Sequence, residues 1–159
     1  MGRLLLALAA SAVCVSCTTT GLSFDQGSRS VEAFNRSLSQ ATTRMDNTAM
    51  VALWENDGIS LLPAAAPMVG KPKIARFLAG ISAQFPHARM QSFDMQCFDI
   101  ETSGDWASEW CREHQVILLA KGRPVFDSRG KMLLVLHRDR DHVWRIHTEM
   151  WNQGRAQAR

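Results

Sequence analysis

The chain is predicted to be α+β, with helices packed on one face of a curved antiparallel sheet. Two observations predict this. Segments with helical periodicity fill the first half of the chain, and segments with strand periodicity fill the second. The closing stretch, GKMLLVLHRDRDHVWRIHTEMWN over residues 130–152, reads as two long strands joined by the polar turn Arg138-Asp139-Arg140-Asp141. Residues 132–136 are continuously apolar, as expected of a strand buried on both faces. Residues 143–151 alternate. Trp144, Ile146, Thr148 and Met150 fall on one face, and Val143, Arg145, His147, Glu149 and Trp151 on the other; a bulge would exchange the faces beyond it.

The elements before the hairpin follow in order. Ser30 is placed to cap a helix whose first turn holds Glu32, with Val31, Phe34, Leu38, Ala41 and Met45 along one face. Asp46 can cap a second, short helix over residues 48–54. Glu55-Asn56-Asp57-Gly58 ends it and opens a strand. Residues 59–62 and 67–69 form a short hairpin limited by Pro63. Gly70-Lys71-Pro72 opens a third helix, with Ile74, Phe77, Leu78, Ile81 and Phe85 on one face and Pro86 as its stop. Residues 90–100 and 106–119 are strands around a turn containing Gly104, and residues 121–129 read as a polar loop.

At 159 residues, 46% hydrophobic and 21% charged, the chain suits one globular domain with a short leader. The net charge of +3, without a basic run, argues against nucleic-acid binding. Arg3 and the apolar stretch 4–15 form a signal-peptide pattern too short to span a bilayer, which needs about 20 residues. Val15-Ser16-Cys17 resembles a bacterial lipobox, although Cys14 stands where Leu is usual. That resemblance implies a signal peptide over residues 1–16, lipidation of Cys17, and a place at the outer membrane facing the periplasm, since Thr18 rather than Asp follows the cysteine. An ordinary secretory signal, giving a soluble secreted or periplasmic protein, is the alternative. Residues 17–29 are expected to be a flexible tether, 30–153 the domain, and 154–159 a tail.

The order of elements, with ALWENDGISLLP, MVGKPKIARFL, DWASEWCREHQV and the closing hairpin, resembles the nuclear transport factor 2-like superfamily. Within it the chain is most similar to the SnoaL-like proteins and to domain of unknown function 4440. The resemblance implies a cone-shaped sheet backed by about three helices, either open as an apolar pocket or filled by its own side chains. It also implies a homodimer joined through the outer face of the sheet. It does not imply one activity, because the fold carries isomerases, hydratases, cyclases, assembly subunits and ligand binders. The steroid isomerases of the superfamily use a carboxylate at the end of the first strand and a Tyr donor; here Leu62 stands at that position and there is no Tyr. Their mechanism is therefore not carried over.

An exported ligand binder for a small apolar or aromatic molecule is the first functional expectation, with Trp54, Met68, Trp106, Glu109, Glu149 and Trp151 as pocket residues. A buried carboxylate, Asp57 or Glu109, acting as base in an isomerase or hydrolase is the second, and a dimeric assembly protein the third. Asp57 reads first as a turn or cap residue before Gly58 and second as a base at the mouth of the cone. Glu149 reads as a cavity carboxylate with a raised pKa, as an ion-pair partner of Arg112 or Arg145, or as a solvent-facing residue. His114, His137, His142 and His147 lack metal-site spacing, and no phosphate loop or nucleophile motif is present, so no metal or cofactor is predicted. Cys97 and Cys111 lie seven residues either side of Gly104, roughly opposite each other on adjacent strands. They are read either as a cross-strand disulfide or as two buried thiols.

Overall fold

The computed structural model describes residues 20–119 and 122–154. Cys17 and the leader, with residues 155–159 of the tail, lie outside the described residues. Three helices, α1 (Thr20–Thr43), α2 (Asn47–Ala52) and α3 (Lys71–Gln84), accompany six strands: β1 (Trp54–Leu61), β2 (Met68–Val69), β3 (Arg89–Ser103), β4 (Trp106–Leu118), β5 (Pro124–Arg138) and β6 (Trp144–Gln153). The architecture is α+β. The strands form one sheet in the order β2-β1-β6-β5-β4-β3. All neighbours are antiparallel except β1 and β6, which run parallel and bring the start of the domain against its end.

Asp46 caps α2, its carboxylate accepting the Ala49 N–H at 3.0 Å. Pro72 sits in the first turn of α3, where its missing N–H is harmless. Helix α1 already runs from Thr20, ten residues before the expected cap, so the described part of the expected tether is helical. Ser30 does not cap: its hydroxyl donates to the Gly27 carbonyl at 2.6 Å and accepts the Trp144 indole N–H at 2.8 Å. This ties α1 to the start of β6. Strand β5 begins at Pro124, so most of the expected loop 121–129 is strand and pairs with β4 through Phe126, Asp127, Ser128 and Arg129. Pro124 is tolerated because it is the first residue of its strand.

Two expectations about the closing hairpin are corrected. Residues 132–136 are not buried on both faces: Met132, Leu134 and Leu136 are buried, while Leu133 is 46% exposed. Helices cover only one side of the sheet, so β5 alternates. Strand β6 carries a bulge, because Val135 faces Thr148 while Leu136 faces Ile146, which leaves His147 as the extra residue. Trp144 and Ile146 before the bulge are buried in the core, and after it Glu149 and Trp151, not Thr148 and Met150, take the inner face. Strand β1 is irregular at the same level, between Trp54 and Ile59. There Gly58 is required, since a Cβ would lie 2.8 Å from the Trp54 ring and 3.1 Å from the Ile146 carbonyl oxygen.

The core joins Val31 and Phe34 of α1, Trp54, Ile74 of α3, and Leu134, Leu136, Trp144 and Ile146 of the sheet. Cys97 and Cys111 are register partners on β3 and β4 and form a disulfide.

Candidate functional site

The sheet curls around an open cavity of about 450 Å³, within the usual range for small-molecule sites. Met50, Ile74, Phe77, Phe93, Met132 and Ile146 supply much of its apolar wall. The polar side chains that reach it come mainly from the sheet: Ser60 of β1, Glu113 and Gln115 of β4, and Glu149 of β6, with the Trp151 indole beside them.

Period-two alternation along β4 puts Glu109, Cys111 and Glu113 on the inner face, and each is buried. Glu113 accepts two hydrogen bonds, from the Trp151 indole at 2.5 Å and from the Gln115 amide at 2.9 Å. Burial pushes its pKa up against those two bonds, which lower it. Trp151 reaches Glu113 from two strands away by crossing Gly130 of β5. A Cβ there would lie 2.5 Å from the indole nitrogen, so only glycine leaves the passage open.

Glu149 follows the β6 bulge and turns into the cavity. The Ser60 hydroxyl donates to it at 3.2 Å. Burial lifts its pKa to about 7, and the negative charge of Glu113 acts in the same direction, while the Ser60 bond opposes them. A carboxyl with this pKa is present as both acid and base at neutral pH, the condition that suits proton transfer to or from a bound molecule. Neither arginine considered as its partner reaches it. Arg145 is bound to Asp141, and Arg112 bonds Gln96 and lies over the Phe98 ring.

Of the residues expected in the pocket, Trp54, Met68, Glu149 and Trp151 line the cavity, and Trp106 and Glu109 do not. Trp106 is 44% exposed and packs on His137 and His147. Glu109 lies on the inner face but beneath α1, where the Asn35 amide donates to it at 2.7 Å. Its burial lifts its pKa to about 7, opposed by that bond. One oxygen of each of these two side chains is buried without a partner. Asp57, the other candidate base, is exposed and lies outside the cavity, because the irregular β1 carries it out at the sheet's edge. Both expected bases are thus corrected in position, and the carboxylates that do meet in the cavity are Glu149 and Glu113. Glu113 was missed although its spacing of two from Cys111 and four from Glu109 marks the same face. Another cluster was also missed. Glu55 accepts His137 Nδ1 at 2.5 Å and His147 Nδ1 at 2.8 Å, outside the cavity.

No family model matches the chain, and no curated protein matches it in sequence. Solved structures match its fold. A ketosteroid isomerase-like protein from Erwinia carotovora atroseptica aligns with 84% of this chain and all of its own, at 19% identity and a TM-score of 0.71. A proposed dehydratase of the nuclear transport factor 2-like family from Streptomyces avermitilis aligns with 83% of this chain and 99% of its own, at 17% identity and a TM-score of 0.70. A proposed aromatic ring hydroxylase from Novosphingobium aromaticivorans aligns with 83% of this chain and 92% of its own, at 16% identity and a TM-score of 0.66. The helices, the six-stranded curved sheet and the cavity they enclose are those of the nuclear transport factor 2-like fold.

Proposed function

We propose that the protein binds a small, largely apolar molecule in its cone and that Glu149 exchanges a proton with it. The observation that carries this reading is the Glu149 carboxyl: it faces an open, largely apolar cavity, and removal from bulk water lifts its pKa to about 7. Glu113 supports the role by keeping a second charge close and is itself fixed by Trp151 and Gln115. Isomerase-like and dehydratase-type names among the structural neighbours are compatible with proton-transfer chemistry on an apolar substrate. This differs from the sequence reading in its acid/base residue and in two of the six pocket residues, Trp106 and Glu109, which lie outside the cavity. The lipobox-like Val15-Ser16-Cys17 supports export and lipid anchoring, so the proposed setting is the periplasmic side of a bacterial outer membrane.

The test is incubation with 2-tetralone, a neutral ketone with acidic α-protons, in deuterated buffer. Native mass spectrometry reads binding and NMR reads deuterium uptake. The reading expects a one-to-one adduct, uptake faster than in buffer, and loss of that acceleration in Glu149→Gln with the adduct retained. An adduct without accelerated exchange would leave a binding module and remove the proton-transfer role. No adduct would count against the cavity as a site for this class of molecule.

A second reading, assembly as a homodimer, rests on the outer face. Phe98, Trp110, Leu133, Met150 and Leu61 are successive register partners across five strands. Trp110, Leu133 and Met150 are 38%, 46% and 47% exposed, which makes an apolar row suited to pairing with a second copy.

A further inference from the structure

The cluster around Glu55 takes no part in the cavity. It is assembled from three strands: Glu55 and Asp57 from the irregular stretch of β1, His137 from the end of β5, and His147 from the bulge of β6. Only 9% of the Glu55 surface is exposed, yet the groups that meet its carboxylate are two imidazoles rather than a lysine or arginine. Its two oxygens are divided between them, one taking His137 Nδ1 at 2.5 Å and the other His147 Nδ1 at 2.8 Å. Donor atoms of Glu55, Asp57 and His147 all lie within 4.8 Å of one another. Asp57 is exposed and leaves that side open to solvent. The Trp106 ring packs on both imidazoles, its centroid 4.3 Å from His137 and 5.0 Å from His147. Arg145, whose charge acts on Glu55, is engaged by Asp141 through hydrogen bonds of 3.0 and 2.6 Å.

We propose that this cluster is a binding site for a divalent first-row transition-metal ion, with Glu55, Asp57 and His147 as ligands and His137 as the residue that fixes Glu55. One imidazole and two carboxylates are a mixed nitrogen–oxygen set, which suits zinc-class ions rather than magnesium. At tetrahedral angles, bonds of about 2.0–2.2 Å to such an ion place neighbouring donors roughly 3.3–3.6 Å apart. The 2.8 Å contact between Glu55 and His147 therefore has to open by roughly 0.5–0.8 Å once the ion replaces the shared proton, and donors as far as 4.8 Å apart have to close in. His137 would keep its hydrogen bond to the remaining Glu55 oxygen, the carboxylate–histidine support that orients a ligand. Water would fill the open positions on the Asp57 side. The site is independent of the cavity reading, since none of these four residues lines the cavity.

The test uses the untagged full chain, stripped with a chelator and titrated with zinc sulfate by calorimetry near neutral pH. The nitrogen resonances of the imidazoles are followed by NMR in parallel. The expected result is one zinc per chain at micromolar affinity or tighter, with the His147 and His137 signals shifting and those of His114 and His142 unchanged. Magnesium should give no heat. His147→Ala should weaken binding at least ~100-fold, Asp57→Asn, which weakens a proposed ligand, by more than His137→Ala, and His137→Ala by ~10-fold, the size of a ligand-supporting effect. Asp57→Asn replaces an exposed side chain, so it keeps the test readable where Glu55→Gln disturbs folding. Zinc that binds no tighter than about 100 μM, or that shifts His114 and His142 equally, would overturn the proposal.

Discussion

The Trp151 indole donates to Glu113 at 2.5 Å across Gly130, so one hydrogen bond spans three strands and ties the end of β6 to the cavity carboxylate of β4. It opposes the rise that burial imposes on the Glu113 pKa. Without it Glu113 would keep only the Gln115 bond, and burial would raise its pKa further. Trp151→Phe should lower stability by about 1–3 kcal/mol, the cost of stranding a buried acceptor. Gly130→Ala should act similarly, because its methyl group displaces the indole. Urea denaturation checks both. Carboxyl NMR should show the Glu113 titration moving upward in each variant.

Stability should fall from mildly acidic to mildly basic pH. Glu149 and Glu109 have folded-state pKa values raised to about 7 from 4.5, and Glu113 is raised as well. Below the unfolded value these groups are protonated in both states and cost nothing. Between the two values the folded state holds more protons, so stability declines as pH rises, and above the folded value the full cost is present. For Glu149 that cost is on the order of 3 kcal/mol. Denaturant midpoints should therefore be higher near pH 5 than near pH 8, and Glu149→Gln should flatten the difference.

Glu109 serves structure. Asn35 donates to one of its oxygens, while its other oxygen and the Asn35 carbonyl oxygen are both buried without partners. A protonated Glu109 has an O–H to give that acceptor, which closes a two-bond acid–amide pair and pins α1 to the sheet. Glu109→Gln, which keeps a donor and an acceptor without a charge, should be as stable as wild type at pH 5 and more stable at pH 8. Glu109→Ala should lose about 1–3 kcal/mol at pH 5, because Asn35 is then stranded, and less at pH 8, where it also removes the cost of the buried charge. Thermal unfolding at the two pH values separates these outcomes.

The Cys97–Cys111 disulfide closes a loop with a sequence separation of 14. A loop of this length corresponds to roughly 3 kcal/mol of chain entropy removed from the unfolded state. A reducing agent should lower the denaturation midpoint accordingly, and Cys97→Ala/Cys111→Ala should be insensitive to it.

If the outer row is a dimer interface, Leu133→Arg should give a monomer by sedimentation with folding intact, because Leu133 is 46% exposed and packs outside the core. A wild-type chain that is monomeric at high concentration would contradict the assembly reading.

Much of the fold was legible because it rests on local pattern. The spacing of Ile74, Phe77, Leu78 and Ile81 sets α3, and the turns near Gly104 and Asp139 separate the long strands. The parallel pairing of β1 with β6 was not legible, since no local periodicity encodes a contact between residues 54 and 146. The site followed the same division. Trp54, Met68, Glu149 and Trp151 were readable as inner-face residues, the last two only if a bulge intervened, and the bulge is fixed by the partner strand. Glu109 alternates in step with Glu113, and what separates them is α1, whose Asn35 covers one and not the other. Glu55, His137 and His147 are far apart in sequence and meet through topology alone.

The central claim is that Glu149 faces an accessible apolar cavity. The most direct measurement is the titration of carbon-13-labelled glutamate carboxyls, with and without 2-tetralone, in wild type and Glu149→Gln. The account predicts a carboxyl that titrates at about pH 7, is absent from the variant, and moves upward when the ketone displaces cavity water. A Glu149 resonance that titrates near the ordinary value of about 4.3 and ignores the ketone would contradict it.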